Sequence, residues 1–255
     1  MNRFKKIKEY YNWGGRFITD PFIIAGKELN FTETQKSPFR FDVINYLLSS
    51  LNRETMYLEI GVRNPDDNYN RIVATKKYSV DPGIEFRENP VDYKVTSDIF
   101  FEGLASGKFL GPDIKFDVIF IDGLHLADQA DRDIENALIY LKDDGFIVLH
   151  DCNPPSEFHA RESHEFVISP AGQNWNGTTW KAFLKARYRT DISSCCIDTD
   201  WGVGVISKRK ILGGMPSVKN SFYDFHVLRD NRKNLLNLMD FYTFKDLIEK
   251  NFNLK

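Results

Sequence analysis

Four short apolar runs constrain this chain more than anything else in it: YLEIG at 57–61, YSVDPG at 78–83, FDVIFIDGLH at 116–125 and GFIVLHD at 145–151. Each is apolar almost throughout, as a parallel strand covered on both faces must be. Each then stops abruptly at a carboxylate or a glycine. The stops are Glu59 with Gly61, Asp81, Asp122, and His150 with Asp151. Four such strands in one sheet set their polar ends along one edge. Open α/β sheets bind ligands outside the carboxyl ends of their strands, so function is expected there.

The segments between these runs predict the remaining elements. Residues 1–38 are aromatic and polar without a sustained period, which predicts a short helix and an irregular arm. Apolar residues at 39, 41, 43, 44, 47, 48 and 51 fit a helix against a core. After the first strand, VRNPDDNYN is rich in turn formers, and a brief helix is expected from about Tyr69 to Thr75. Residues 82–92 read as loop and VDYKVTSD as a short strand ending near Thr96. Ser97 or Asp98 is placed to cap the helix IFFEGLASG. Ala127 to Leu141 alternates apolar and charged faces at helical spacing and leaves through DDG.

Beyond Asp151 the character changes. Residues 152–178 form a long loop with prolines, two histidines and the run WNGTTW. A helix is expected from about Thr179 to Arg187. RTDISSCCIDTDWGVGVISK then reads as two antiparallel strands joined at Asp198–Trp201. Strands alternating with helices at this spacing make right-handed βαβ units. The fold class expected is α/β: a doubly wound, mostly parallel seven-stranded sheet closed by an antiparallel hairpin, with helical N- and C-terminal extensions. The expected division is an arm and helix at 1–54, a catalytic domain at 55–208 with an acceptor loop at 152–178, and a helical extension at 209–255. The flanking helices suit a cap or the contact of a homo-oligomer.

Composition excludes several classes. With 255 residues, 42% hydrophobic, 27% charged and a net charge of −2, the chain is an ordinary globular one. It lacks the basic excess of a nucleic-acid binder. No apolar run approaches the roughly 18 residues needed to span a bilayer, and the basic N-terminus has no continuous apolar core of a secretion signal. Three cysteines, two of them adjacent at 195 and 196, suit a reducing, cytoplasmic setting better than a disulfide framework. Neither a CxxC pair nor a zinc spacing is present.

The strand ends differ in chemistry. Arg63 stands where a dinucleotide fingerprint has its second glycine, and no GK[ST] follows, so neither of those phosphate loops is present. What remains is an acid-x-glycine turn: Glu59 can accept from an amine, and Gly61 lets backbone approach a ligand. A plain strand-end turn explains the same residues equally well. Asp81 follows about 20 residues later, where nucleotide-binding α/β folds place an acid on two ribose hydroxyls, though it equally opens the turn DPG. Asp122 and Asp151 end neighbouring strands and can converge on a hard divalent cation such as Mg²⁺. His125, three residues on, could take a proton near neutral pH. A plainer reading accounts for each acid on its own: one caps a helix and the other opens a turn. His159, His164 and His226 read as loop or surface residues. Trp175, Trp180 and Trp201 read as core or lid, with Trp175 able to stack on a ring.

Together these residues resemble a class I S-adenosylmethionine-dependent methyltransferase over roughly residues 55–208. YLEIG is similar to that family's first motif, YSVDPG to its ribose-binding acid, and the closing hairpin to its last two strands. FIDGLH followed by a long helix and VLHD resembles, more narrowly, the metal-dependent macrocin and mycinamicin type of sugar O-methyltransferase. The resemblance implies S-adenosylmethionine held by Glu59, Gly61, Arg63, Asp81, Ser97 and Asp98. It also implies Mg²⁺ on Asp122 and Asp151 and His125 as the base. In that group two acids follow the last parallel strand; here the first is His150, which leaves open whether it ligates the metal, binds substrate or does neither. The implied reaction is methyl transfer to a hydroxyl of a sugar or glycoside, the acceptor being a small molecule or a glycan. A metal-independent small-molecule methyltransferase and a non-catalytic protein keeping the fold stay open as alternatives. An NAD-linked dehydrogenase is disfavoured by Arg63.

Overall fold

FDVIFI is buried at every position, because both faces of its strand are covered. A computed structural model describes residues 3–86, 88–166, 168–209 and 211–253; residues 1–2 and 254–255, the tips of the two expected extensions, lie outside the described residues. Strands β1 (Met56–Ile60), β2 (Lys76–Val80), β3 (Phe116–Ile121), β4 (Leu141–Leu149), β5 (Ser193–Ile197), β6 (Val203–Ser207) and β7 (Leu238–Met239) form one sheet in the order β2-β1-β3-β4-β6-β5-β7. β2, β1, β3 and β4 run parallel. β6 is antiparallel to both β4 and β5, and β7 pairs parallel to β5.

Alternate side chains of each strand enter two cores. Leu58, Ile60, Ile119 and Ile121 point to the face covered by α4 (Ser97–Ala105), α5 (Ala127–Tyr140), α6 (Thr179–Arg187) and α7 (Phe225–Leu235). Tyr57, Val118 and Phe120 point to the face covered by α3 (Arg40–Ser50) and α8 (Phe241–Asn253), through Val43, Ile44, Leu47, Phe244 and Ile248. Each such side chain, fully buried, stabilises the fold by about 1.5–3 kcal/mol before chain entropy is charged. Among the described residues no helix is long and apolar enough to cross a membrane.

Four expectations need correction. The N-terminal segment forms two helices, α1 (Arg3–Thr19) and α2 (Pro21–Thr34). α1 buries none of its residues, so no core-facing stripe stood out as an element. Asp20 separates the two helices: its carboxylate accepts from Phe22 N and Ile23 N, and Pro21 sits in the first turn of α2. The expected strand at 91–96 is only a single bridge, Val80 to Tyr93. The Asp92 side chain takes the Ser79 N–H and hydroxyl instead, and the seventh strand is β7. The expected helix at 69–75 is a 3₁₀ turn at Tyr69–Arg71, preceded by another at Pro65–Asp67. The cap of α4 is Thr96, one residue before the two considered.

Candidate active site at the carboxyl edge of the sheet

The loops after β1, β2, β3 and β4 enclose a cavity of about 670 Å³, a size suited to a small-molecule ligand. Glu59, Gly61, Arg63, Asp81, Ser97, Asp122, His125, His150 and Asp151 all line it. Asp98 is not among the lining residues; its carboxylate receives Gln129 and Arg132. Gly61 has φ +84°, and a Cβ there would stand 2.3 Å from the Asp122 carbonyl oxygen. The β1 and β3 loops therefore touch through a glycine that no other residue can replace without strain. Arg63, Asp151, Asp200 and Trp201 also have positive φ, a cost typically accepted where a site over-determines its backbone.

At one end of the cavity the Asp81 carboxylate is fixed by the backbone N–H groups of Arg63 (2.8 Å) and Gly83 (2.6 Å). The Arg63 guanidinium turns outward to Asp67 at 2.6 Å. Glu59 is almost fully buried. The Tyr57 hydroxyl (2.5 Å) and the Asn68 amide (2.8 Å) both donate to its Oε2. Burial outweighs those donors and pushes the Glu59 carboxyl up to about 7. Ser97 Oγ accepts from Gln129 Nε2 at 3.0 Å.

At the other end, Asp122 and Asp151 converge as the strand order requires. His125 lies between them, with Nε2 3.3 Å from Asp122 and Nδ1 3.1 Å from Asp151. His150 Nδ1 is 3.3 Å from each carboxylate, and its Nε2 is 3.3 Å from Asp200. Arg40 hydrogen-bonds Asp200 and stands 3.8 Å from Asp122. Burial alone would lower the His125 imidazole, but the Asp151 and Asp122 carboxylates raise it to about 9. Burial likewise opposes ionisation of Asp122, yet His150, His125 and Arg40 hold its carboxyl well below the usual range. The same balance, led by His150 and Arg40, lowers Asp200.

The run WNGTTW holds His125 in place. The Trp175 carbonyl lies 3.1 Å from His125 Nδ1, and the Trp175 ring stacks on the imidazole at 5.2 Å. Thr178 N–H donates to the His125 carbonyl, and Thr178 Oγ1 accepts from Ala127 N–H. Asn176 donates to Asp151 at 2.6 Å. Sequence reasoning missed Arg40, Asp200, Asn176, Asn68 and Tyr57. Arg40 opens a helix and Asp200 sits in a hairpin turn, so both looked like ordinary surface polar residues. Asn68 lies in a loop dense in Asn and Asp, where no spacing singles it out.

The donor set fits a hard divalent cation. Asp122, His125 and Asp151 offer ligand atoms all within 4.8 Å of one another. The buried Asn176 Oδ1 next to them has no hydrogen-bond partner, adding a hard oxygen to an oxygen-rich site. His150, also expected as a metal ligand, is not in that group; its Nδ1 faces Asp122 and Asp151 and its Nε2 faces Asp200, so it bridges the three carboxylates.

Comparison with known proteins finds one family match and several distant structures. Residues 54–152 match the family model of a methyltransferase domain. No curated protein matches the chain. Among solved structures, an O-methyltransferase from Bacillus cereus in complex with SAH is 15% identical, covering 74% of this chain and 91% of that one at a TM-score of 0.41. A methyltransferase of Podospora anserina, PaMTH1, bound to SAH, is 14% identical over 80% and 96% at 0.44. MycE, a methyltransferase of mycinamycin biosynthesis in complex with Mg, SAH and mycinamycin VI, is 16% identical over 80% and 58% at 0.43.

Proposed function

From a methyltransferase domain over residues 54–152, we propose that the chain transfers a methyl group from S-adenosylmethionine to a hydroxyl of a sugar or glycoside. Asp122 and Asp151 would hold one Mg²⁺, and His125 would act as the general base. The observation that carries this reading is the convergence of Asp122, His125 and Asp151 at one end of the cavity. Asp81 and Glu59 lie toward the other end. Asp81, its orientation fixed by two backbone amides, accepts the ribose hydroxyls; Glu59 with Asn68 faces the amino-acid part of the cofactor; Ser97 and Gln129 border the adenine.

When bound, Mg²⁺ supplies Lewis-acid polarisation that lowers the pKa of the acceptor hydroxyl. The Trp175 carbonyl and Asp151 hold Nδ1 of His125, and Nε2, which faces Asp122, would take the hydroxyl proton once a cation on Asp122 and Asp151 offsets the carboxylates that keep the imidazole protonated. The oxygen forms a bond to the methyl carbon as the carbon–sulfur bond breaks, and the electron pair stays on sulfur to give neutral S-adenosylhomocysteine. Trp175 and the loop at 152–178 wall the acceptor side and exclude water. Holding oxygen and methyl at attack distance accounts for much of the rate.

The test is calorimetric titration with S-adenosylhomocysteine, then labelled-methyl transfer to a panel of glycosides with and without EDTA. Micromolar binding and an EDTA-sensitive, Mg²⁺-restored transfer is the expected result. No binding up to millimolar would sink the reading. One observation favours a second role for His125: both its nitrogens face the paired carboxylates, as a ligand's would. A His125→Gln variant that loses Mg²⁺ affinity as well as turnover would assign it there.

A further inference from the structure

α1 leaves most of its apolar side chains exposed. None of its 17 residues is buried, and Ile7, Tyr10, Tyr11, Trp13 and Ile18 are 55–81% exposed. At the helical period, Ile7, Tyr10, Tyr11, Phe17 and Ile18 fall on one side with Gly14, and Trp13 at the edge. Lys5, Lys8, Asn12 and Arg16 fall on the other. Arg3 and Lys6 project among the apolar residues near the helix start, where long stems can snorkel. The helix carries five basic residues against the single acid Glu9, a charge of +4. The whole chain sums to −2, so everything outside α1 sums to −6. Positive charge is thus segregated onto one amphipathic helix of an otherwise acidic protein.

We propose that α1 docks on an anionic lipid bilayer, lying in the interfacial plane with its aromatic and aliphatic side buried and its basic side against the headgroups. A surface helix with Lys and Arg on one face and Trp, Tyr and Ile on the other has the chemistry for this. A second copy of the chain is the weaker occupant, because a two-fold contact would set two +4 helices against each other. A nucleic acid would leave the aliphatic residues of the apolar side unused. The helix binds on the membrane and does not cross it. Docking also has a consequence for the cavity. α2 follows directly, and it is held to the loop at 152–178 by Asn30 on Ala171 (3.2 Å) and His159 on Asn30 (2.7 Å). At Gly26 a Cβ would stand 1.9 Å from the Pro170 carbonyl oxygen. α1 therefore sets the distance between the bilayer and one wall of the cavity.

The test uses the full chain with sucrose-loaded vesicles of pure phosphatidylcholine or of phosphatidylcholine with about a third phosphatidylglycerol, an anionic lipid. Sedimentation with the anionic vesicles alone, with release in about 0.5 M salt, is expected. The variant K5E/K6E/K8E should lower the partition coefficient by about a hundredfold or more, since each basic residue near such a surface contributes roughly fivefold. It should melt as the parent does, because α1 buries nothing. A control with the same net charge, K108E/K233E/K250E, should sediment as the parent does. Equal loss in both triple variants, binding to phosphatidylcholine alone, or no binding would overturn the proposal. So would a salt-sensitive complex with duplex DNA, or a dimer in sedimentation velocity, lost on K5E/K6E/K8E while vesicles stay unbound.

Discussion

Replacing Glu59 by Gln should stabilise the unliganded protein at alkaline pH and barely alter it in acid. Glu59 is buried under the cavity floor, with Tyr57 and Asn68 both donating to one carboxylate oxygen. Its carboxyl is raised from 4.5 to about 7 because burial penalises the charged form. A folded-state pKa above the unfolded one means that folding favours the neutral acid. Stability is therefore lost as pH climbs from about 4.5 to about 7, and the deficit is constant above that. At 1.36 kcal/mol for each pH decade, the deficit at pH 8.5 is about 3 kcal/mol, against about 1 kcal/mol at pH 5. Gln keeps an acceptor for Tyr57 and Asn68 and cannot ionise. Urea unfolding of both proteins at pH 5.0 and 8.5 should show the gain from Glu59→Gln growing by about 2 kcal/mol between the two. The same variant should bind S-adenosylhomocysteine at least about tenfold more weakly, the cost of losing a charged partner. A pH-independent difference in stability would refute the reasoning, because it would mean that Glu59 folds ionised at no cost.

Further expectations follow from the same geometry. His125→Ala should lower turnover by about 10² to 10⁴ in steady-state kinetics, with S-adenosylhomocysteine affinity by calorimetry within about threefold of the parent; equal loss of both would contradict its place at the acceptor end. Asp151→Asn should abolish the Mg²⁺ dependence of any transfer measured at a common pH, and retained EDTA sensitivity would move the metal elsewhere. Gly177→Ala places a Cβ 2.0 Å from the His125 carbonyl oxygen at a residue with φ +61°. It should cost about 2–4 kcal/mol in unfolding free energy from strain and overpacking together.

The frame of the site was legible because strands advertise their ends. FDVIFI is buried on both faces, so its apolar run stops where the sheet stops, and Asp122 is the next residue. The same holds for YSV before Asp81 and FIVL before His150. What could not be read is what reaches the edge from elsewhere. Arg40 comes from the start of α3, Asp200 from a hairpin turn and Asn176 from a loop, each separated from Asp122 or Asp151 by many residues and by no periodic pattern. The N-terminal helices were missed for a related reason: a helix that buries nothing leaves no stripe to recognise. Asp92 gave a false strand, since a side chain that hydrogen-bonds Ser79 in place of a ladder looks, in sequence, like the ladder.

His150 can be understood through the charge balance of its surroundings. Asp122, Asp151 and Asp200 face one another across a few ångströms of buried space, and among the described residues Arg40 is the permanent cation set between them. An imidazole bridging all three carboxylates ties them together by hydrogen bonds and positive charge without any ion. An acid in its place would set four carboxylates against one arginine and the His125 imidazole. The variant His150→Asp should therefore make folding depend on metal. Leaving buried charges uncompensated costs about 3–5 kcal/mol, and a chain this long shifts its melting temperature by roughly 2–4 °C per kcal/mol. In EDTA the variant should melt about 6–20 °C below the parent, and added Mg²⁺ should recover most of that loss in a concentration-dependent way. The parent should change far less between the two conditions. A variant that melts with the parent in EDTA would show that His150 balances no charge at this site.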